Sequence, residues 1–160
     1  MKGWLFTRLE SGSVYFTPDV RQRLERHRQL GARSKESGGV LLGRHLLDGS
    51  DVIVDEITEP AGSDRRSLTS FFRSIIHHHR AFARWRASGG TCAYLGSWHT
   101  HPEPTPHPSS VDLQDWQHAL ARDRYDGNTL FFAIVGTLET RVWQGAREGA
   151  VAPLSMTREV

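Results

Sequence analysis

The sequence predicts one α/β domain with a mixed central β-sheet flanked by helices. Segments with helical punctuation alternate with short apolar segments, in the approximate order β-α-β-β-α-β-α-β-β. Pairs of apolar segments separated by turn residues indicate hairpins, and hairpins combined with βα units imply a mixed sheet. The chain has 160 residues, of which 38% are hydrophobic. This is enough for one core, so we expect a single domain over residues 1–160.

The N-terminal part is predicted to contain a strand, a helix and a hairpin. Residues 4–10 mix apolar and polar side chains, as an edge strand does. A helix follows, with Thr17 as the N-cap, Pro18 in the first turn and Gly31 as the stop signal. Residues 36–60 are predicted to form two strands around the turn sequence DGS. The apolar side of the helix is predicted to comprise Val20, Leu24, His27 and Leu30.

The C-terminal part is predicted to contain two helices and three strands. Residues 67–90 show the strongest helical pattern in the chain and end at two glycines. A strand over 91–101, a serine-capped helix over 109–123 and two strands within 128–145 follow. The tail from Ala146 is weakly patterned, so we expect it to be loosely held. The predicted buried stripe of the 67–90 helix is Leu68, Phe71, Phe72, Ile75, His79, Phe82 and Ala83.

Net charge, cysteine content and the length of apolar segments exclude few classes of protein. The net charge of +2 and the isoelectric point near 9.0 do not demand nucleic acid, which we do not expect as a partner. The single cysteine, Cys92, excludes an internal disulfide and suggests a cytoplasmic protein. The first residues lack the apolar segment of a signal peptide, and the longest apolar run, 130–135, is too short to cross a membrane. We therefore expect a cytoplasmic protein without a membrane partner.

The stretch LGSWHTHPEPTPHPSSVDL, residues 95–113, concentrates potential metal ligands. His99 and His101 lie two apart at the end of a predicted strand, so both side chains project from one face. Asp112 can join them from the first turn of the next helix, where the helix dipole keeps a carboxylate ionised. Two histidines and one aspartate would leave the fourth position of a zinc ion for water, whose pKa falls to about 7. The spacing therefore predicts a catalytic zinc site.

Amide hydrolysis at such a site also needs a proton carrier. Glu36, at the start of a predicted strand and followed by two glycines that allow close backbone approach, is the best candidate general base. Glu56 and Glu59 also lie near strand ends and remain alternatives. Ser109 suits the N-cap of the helix that carries the aspartate, although the neighbouring Ser110 could be the cap instead.

These residues resemble the motif of the JAMM (JAB/MPN-type) metalloproteases. That family has a glutamate far upstream of H-[S/T]-H-x7-S-x-x-D, and the sequence matches it with Glu36 in ESGG, HTHP from His99, and SSVD from Ser109. The resemblance covers most of the chain and implies a cytidine-deaminase-like JAB/MPN fold. It further implies that His99, His101 and Asp112 bind zinc and that Glu36 is the general base. Ser109 would donate a hydrogen bond to the tetrahedral intermediate.

Among prokaryotic JAB proteins, the sequence is most similar to the deconjugating peptidases encoded with CBASS antiviral defence systems. In these systems an E1/E2-like enzyme attaches the C-terminus of a cGAS-like nucleotidyltransferase to targets, and the JAB protein removes it. The resemblance thus implies a zinc-dependent isopeptidase, with a protein substrate that has an extended C-terminal tail and with an E1/E2-like enzyme as functional partner.

Three alternatives stay open. A JAMM hydrolase could instead process a sulfur-carrier or another ubiquitin-like precursor with the same zinc. A non-catalytic scaffold of the same fold typically lacks at least one ligand, whereas this sequence lacks none. A nucleic-acid-binding module built on the arginine-rich helix would leave the zinc pattern unexplained.

Several residues outside the motif carry weaker predictions. His107, between two prolines, is expected at an exposed rim, and the proline-rich loop around it as a rigid wall of the cleft. Cys92 is expected to be a buried structural thiol. His77 and His78 are assigned to the polar side of their helix, without a second metal site. A basic region, either a solvated face or a docking site for an acidic partner, comprises Arg65, Arg66, Arg73, Arg80, Arg84 and Arg86.

Overall fold

Eleven strands and three helices make up the computed structural model, which describes residues 1–160. In chain order the elements are β1 (Trp4–Thr7), β2 (Ser13–Phe16), α1 (Pro18–Arg26), β3 (Gly38–His45), β4 (Val52–Ile57), β5 (Arg65–Arg66), β6 (Phe71–Phe72), α2 (Ile76–Ala87), β7 (Ala93–Thr100), α3 (Ser110–Arg122), β8 (Thr129–Val135), β9 (Thr140–Ala146), β10 (Ala152–Pro153) and β11 (Ser155–Glu159). None of the helices has both the length and the apolar character needed to span a bilayer.

Nine strands form one mixed sheet in the order β10-β9-β8-β7-β3-β4-β2-β1-β11. The pairs β2–β4 and β7–β8 are parallel, and the other neighbours are antiparallel. Helix α1 buries Val20 and Leu24 in the apolar cluster on one face of the sheet. Helices α2 and α3 contribute Ala81 and Trp116 to a second cluster on the other face. The predicted class, a single α/β domain with a mixed sheet flanked by helices, is confirmed.

Local sequence signals correctly locate most of the elements around the candidate site. Thr17 caps α1, because its hydroxyl accepts a hydrogen bond from the Val20 N–H at 3.4 Å, and Pro18 occupies the first turn. The β3–β4 and β8–β9 hairpins, strand β7 and helix α3 also lie where the sequence predicts. Cys92 is buried, as expected for a structural thiol, and burial raises the pKa of its thiol.

Helix α1 ends earlier than predicted. Its last residue is Arg26 rather than a position next to Gly31, and Leu30 is 75% exposed instead of packing on the apolar side. Beyond the helix, the side-chain amide of Gln29 donates hydrogen bonds to the carbonyl oxygens of Ser34 and Leu68, both at 3.1 Å. These tertiary bonds hold the chain in an irregular turn that no local pattern signals.

The predicted 67–90 helix is wrong in its first third. Helix α2 begins only at Ile76, and the preceding segment folds into the short β5–β6 hairpin. Hydroxyl side chains favour this outcome, since the Ser67 and Ser70 hydroxyls bond each other at 2.6 Å and compete with helical backbone bonds. The predicted buried stripe is therefore incorrect: the members that are exposed instead are Leu68, Phe72, Ile75, His79, Phe82 and Ala83.

The assignment of His77 to the polar side of its helix is also wrong. Its side chain is fully buried and lies between Thr58 and Asp64. Thr58 Oγ1 is 2.6 Å from His77 Nδ1, and both Asp64 carboxylate oxygens lie within 3.0 Å of His77 Nε2. A buried imidazole is tolerated here because both of its nitrogens have partners.

The C-terminal tail is not loosely held. Strand β10 pairs with β9, and β11 pairs with β1, so that β1 is an interior strand rather than the predicted edge. All five residues of β11 are exposed, so the tail lacks the apolar alternation that indicates a strand. Backbone hydrogen bonds hold it, including the one from the Gly3 N–H to the Val160 carbonyl at 2.6 Å.

Candidate metal centre and catalytic site

Three side chains with metal-binding atoms converge where β7 ends and α3 begins. His99 is the penultimate residue of β7, His101 directly follows the strand, and Asp112 lies in the first turn of α3. His99 Nε2 is 3.1 Å from His101 Nε2 and 3.1 Å from Asp112 Oδ1, and His101 Nε2 is 3.1 Å from Asp112 Oδ2. The three residues that the spacing predicts as ligands are thus brought together.

The separations between these atoms fit one small cation. Zinc binds imidazole nitrogen and carboxylate oxygen at about 2.0–2.1 Å in tetrahedral geometry, which puts neighbouring ligand atoms about 3.3–3.4 Å apart. The distances of 3.1 Å need only a small expansion to match this geometry. Two histidines and one carboxylate leave one tetrahedral position for solvent or substrate. The donor set is therefore compatible with zinc.

Ser109 and Asp112 form a capping box at the start of α3. The Ser109 hydroxyl accepts the Asp112 N–H at 3.1 Å, and Asp112 Oδ2 accepts the Ser109 N–H at 2.8 Å. Ser109, not Ser110, is thus the N-cap. Burial would raise the pKa of Asp112, but hydrogen bonds from His101 and His99 outweigh burial and hold the pKa well below its ordinary value. The carboxylate is ionised and oriented toward both histidines.

Glu103, which is not among the site residues predicted from the sequence, orients the second histidine. Its Oε1 atom lies 2.8 Å from His101 Nδ1. A carboxylate only accepts, so Nδ1 carries a proton, and a metal ion bound to His101 would take the lone pair of the other nitrogen, Nε2. Burial would lower the pKa of His101, but hydrogen bonds to Asp112 and Glu103 raise it. The sequence signal for this role is an acidic residue two positions after the second histidine.

The register between β3 and β7 brings Glu36 to the cluster. Gly38 pairs with His99 and Gly39 with Trp98, so the residue two before Gly38 lies beside the end of β7 that carries the histidines. A Cβ atom on Gly38 would lie 2.8 Å from the Trp98 carbonyl oxygen. The glycines thus permit the close approach of the two strands that the sequence predicts.

The carboxyl of Glu36 has the burial and pKa of a proton carrier. Glu36 is 5% exposed, and burial raises its pKa to about 7. The positive charge of His101 opposes this rise, whereas the negative charges of Asp112 and Glu103 reinforce it. A carboxyl that titrates near neutral pH can both accept and return a proton.

The two alternative glutamates are engaged elsewhere. Arg84 binds Glu56 at 2.6 Å, and this ion pair holds the pKa of Glu56 below its ordinary value. Arg23 and His27 both contact Glu59 at 2.9 Å. Neither carboxylate belongs to the histidine–aspartate cluster, which leaves Glu36 as the favoured candidate.

A groove of about 510 Å³ extends from the cluster between β6 and α3. Arg73 lies along it and binds Asp115 of α3 at 3.2 Å. A neighbouring cavity of about 390 Å³, which shares His78 with it, continues past Tyr94. The side chains that line the groove include Phe71, Phe72, His99, Val111, Asp112 and His118.

The proline-rich loop after β7 is fixed to the β8–β9 turn. The Glu103 and Pro104 carbonyl oxygens accept hydrogen bonds from the N–H groups of Thr137 and Glu139, and the Pro106 carbonyl accepts one from Arg141. These bonds favour the predicted rigid wall over a mobile flap. His107, on the same loop, is exposed as predicted.

Five of the six arginines of the basic region have different kinds of partner. Arg84 and Arg73 form ion pairs with Glu56 and Asp115. Arg66 instead binds the backbone of Glu36. The guanidinium groups of the two arginines that stack on rings, at 5.5 and 5.9 Å from the ring centroids, belong to Arg65 and Arg86. The region is therefore not a uniform cationic face.

A mixed sheet whose neighbouring strand end and helix start carry a His-x-His pair and an aspartate defines a single-domain protein of the JAB type. The profile of the family described as prokaryotic homologs of the JAB domain matches residues 18–146, and the chain belongs to this family. A CD-NTase/cGAS isopeptidase of Pseudomonas aeruginosa is 34% identical over 86% of this chain and 87% of its own length. A CD-NTase/cGAS isopeptidase of Vibrio cholerae is 36% identical over 79% of this chain and 76% of its own.

The fold also resembles a solved structure. The solution structure of protein DSY2949 from Desulfitobacterium hafniense superposes with a TM-score of 0.61 and 22% identity. The match covers 86% of this chain and 87% of that protein. At this identity the likeness supports the fold.

Proposed function

We propose that this protein is a zinc-dependent isopeptidase that hydrolyses the amide bond after the C-terminus of a conjugated protein. The observation that carries the proposal is the convergence of His99, His101 and Asp112 on one small volume beside the buried carboxyl of Glu36. Membership of the prokaryotic JAB family and the isopeptidase names of the relatives support the reaction class.

Each polar group at the site has a role in amide hydrolysis. A zinc ion held by the three ligands would supply a Lewis acid that polarises the scissile carbonyl and lowers the pKa of water. Glu36 would accept the proton of the attacking water and transfer it to the amide nitrogen, which otherwise leaves poorly. The Ser109 hydroxyl uses a lone pair for the Asp112 N–H, so its proton remains to donate to the oxyanion of the tetrahedral intermediate.

The names of the relatives suggest a CD-NTase/cGAS conjugate as the substrate. We propose that the CD-NTase is joined through its C-terminus to another protein. We expect an E1/E2-like enzyme to form this conjugate in a CBASS antiviral system, and this protein to reverse it in the cytoplasm. The tail would lie extended in the groove of about 510 Å³, beside the β5–β6 hairpin. There it could add backbone hydrogen bonds as an extra strand.

A cleavage assay on a panel of C-terminal fusions tests the proposal. The fused tails come from a CD-NTase, a ubiquitin-like protein and a sulfur carrier, each linked to a lysine side chain or to an α-amine. We expect cleavage directly after the CD-NTase tail, its loss with a chelator and its recovery with zinc. The variant Glu36→Gln should retain zinc in elemental analysis and lose cleavage, whereas Glu148→Gln, at an exposed turn, serves as the control.

Three results would contradict parts of the proposal. Cleavage that persists after complete zinc removal would exclude the metal-dependent reaction. Cleavage by Glu36→Gln at the wild-type rate would exclude Glu36 as the base. Cleavage restricted to the sulfur-carrier tail would show that the substrate is a carrier precursor and not a CD-NTase conjugate.

A further inference from the structure

The β5–β6 hairpin holds the backbone of Glu36 from one side. The Glu36 N–H donates to the Ser67 carbonyl at 2.8 Å. Arg66 Nε donates to the Glu36 carbonyl at 2.7 Å, and Arg66 Nη2 donates to the Ser37 hydroxyl at 2.8 Å. Glu36 precedes the first residue of β3 and so lies outside the ladder of the main sheet. The hairpin therefore supplies both backbone partners of this residue.

The sheet holds the next residue from the other side. The Ser37 N–H donates to Thr100 Oγ1 at 2.9 Å, and the Ser37 carbonyl accepts the Thr100 N–H at 2.9 Å. Thr100 lies between the two histidines of the cluster, so Ser37 is fixed relative to the metal ligands. The position of the Glu36 side chain is then set by the rotation of the backbone between these two anchors, one of which is Arg66.

Arg66 contacts the backbone and not the carboxyl group. Its two hydrogen bonds go to the Glu36 carbonyl oxygen and to the Ser37 hydroxyl. A contribution of Arg66 to catalysis would accordingly be one of geometry.

The same hairpin borders the groove. Its second strand contributes Phe71 and Phe72 to the groove lining, next to His99 and Asp112. The Phe71 ring also packs on Gly38, since a Cβ atom there would meet the ring at 2.6 Å. A peptide that binds along the hairpin would therefore press on an element that is bonded to Glu36.

We propose that Arg66 is a positioning residue, which fixes the Glu36 carboxyl at the metal cluster. Through the hairpin, it would also link the binding of a peptide in the groove to the position of that carboxyl. This inference rests on the proposed function, because it requires Glu36 to act in catalysis. A misplacement of about 1 Å at a reacting group can reduce the rate by about 100-fold. Loss of Arg66 is thus expected to lower kcat while KM changes little.

Steady-state kinetics on the cleavable fusion test the inference with three single variants. Arg66→Ala should lower kcat by about 10- to 100-fold, with KM within about twofold and zinc content unchanged. Arg66→Lys, which can keep one donor to the Glu36 carbonyl, should recover part of the loss. The matched control is Arg65→Ala on the same strand, whose guanidinium lies over the Phe72 ring, and we expect its kcat to stay within about twofold of the wild type.

Hydrogen exchange of the Glu36 amide gives a readout that does not depend on activity. This N–H donates to the Ser67 carbonyl, so it should exchange faster in Arg66→Ala than in the wild type. In Arg65→Ala its exchange rate should not change. The double variant Arg66→Ala with Glu36→Gln adds a second test. Because Arg66 acts through Glu36, the double variant should be no slower than Glu36→Gln alone.

The outcomes separate the inference from the proposed function. An inactive wild type, or a fully active Glu36→Gln, refutes the function itself. An active wild type and an inactive Glu36→Gln, together with an Arg66→Ala variant that behaves like Arg65→Ala, refute only the positioning role. A rise in KM at constant kcat for Arg66→Ala would overturn it as well, because Arg66 would then bind substrate.

Discussion

Replacement of Asp64 by asparagine should strongly destabilise the fold while changing the side chain by only one atom. The Asp64 carboxylate is fully buried and accepts the N–H groups of Ala61 at 2.6 Å and Ser74 at 2.7 Å. It also lies within 3.0 Å of His77 Nε2. These bonds close the base of the segment that carries β5 and β6 and attach it to helix α2.

The expected loss follows from the number of donors that face Asp64. An asparagine has one acceptor oxygen, and its NH₂ group must point at an N–H donor, so at least one buried donor loses its partner at a cost of about 1–3 kcal/mol. The remaining bonds change from charge-assisted to neutral and weaken by about 1 kcal/mol each. Allowing for relaxation, we expect a loss of about 3 kcal/mol, or about 6–12 °C in Tm for a domain of this size.

The loss should depend on pH in a defined direction. Burial would raise the pKa of Asp64, but hydrogen bonds from the N–H groups of Ser74 and Ala61 and from His77 outweigh it and lower the pKa. Since the unfolded pKa is about 3.9, ionised Asp64 stabilises the folded state above that pH, and the contribution disappears as the pH falls through the lower folded value. The asparagine cannot titrate, so the wild-type advantage should shrink only below about pH 4.

Urea denaturation of both proteins between pH 3 and pH 7 measures this difference. Asp48→Asn, at an exposed turn, is the control and should stay within about 0.5 kcal/mol of the wild type. A loss below about 1 kcal/mol at pH 7 for Asp64→Asn would show that the three donors find other partners. A wild-type advantage that grows as the pH falls below 4 would refute the assigned sign of the pKa shift.

Two further predictions concern the metal centre. His99→Ala and Asp112→Asn should each lower the zinc content measured by elemental analysis, because each removes one of three ligands, and an unchanged stoichiometry would contradict the ligand assignment. Glu103→Gln should weaken zinc binding by about 10- to 100-fold in a chelator competition, because a neutral amide supports the His101 ring less well than a carboxylate does. Glu139→Gln, an exposed residue of the adjoining turn, is its control, and equal affinity of the two variants would exclude an orienting role for Glu103.

The grouping of the candidate ligands could be predicted because it depends on short-range geometry. His99 and His101 share a face through the two-residue period of a strand. Asp112 is oriented by the capping box that Ser109 opens three residues earlier. Each of these rules acts within a few residues, so the spacing in the sequence already contains the arrangement.

The residues that hold the site in place could not be predicted in the same way. Arg66 reaches a residue 30 positions away, and His77 is buried by partners 13 and 19 positions away. Strand β11 is all exposed and pairs with β1, at the other end of the chain. Such contacts depend on the register of the sheet and leave no periodic trace in the local sequence.

The error over residues 67–75 itself carries information about function. Helical periodicity there was overridden by a hairpin whose apolar side chains, Phe72 among them, stay exposed at the groove instead of entering the core. Local preference and final structure usually disagree where a segment serves a site rather than the core. The exposed ring of Phe72 and the bonds of Arg66 to Glu36 give this disagreement a physical reason. A helix over residues 67–75 would lack the hairpin bonds to the backbone of Glu36, on whose position the proposed reaction depends.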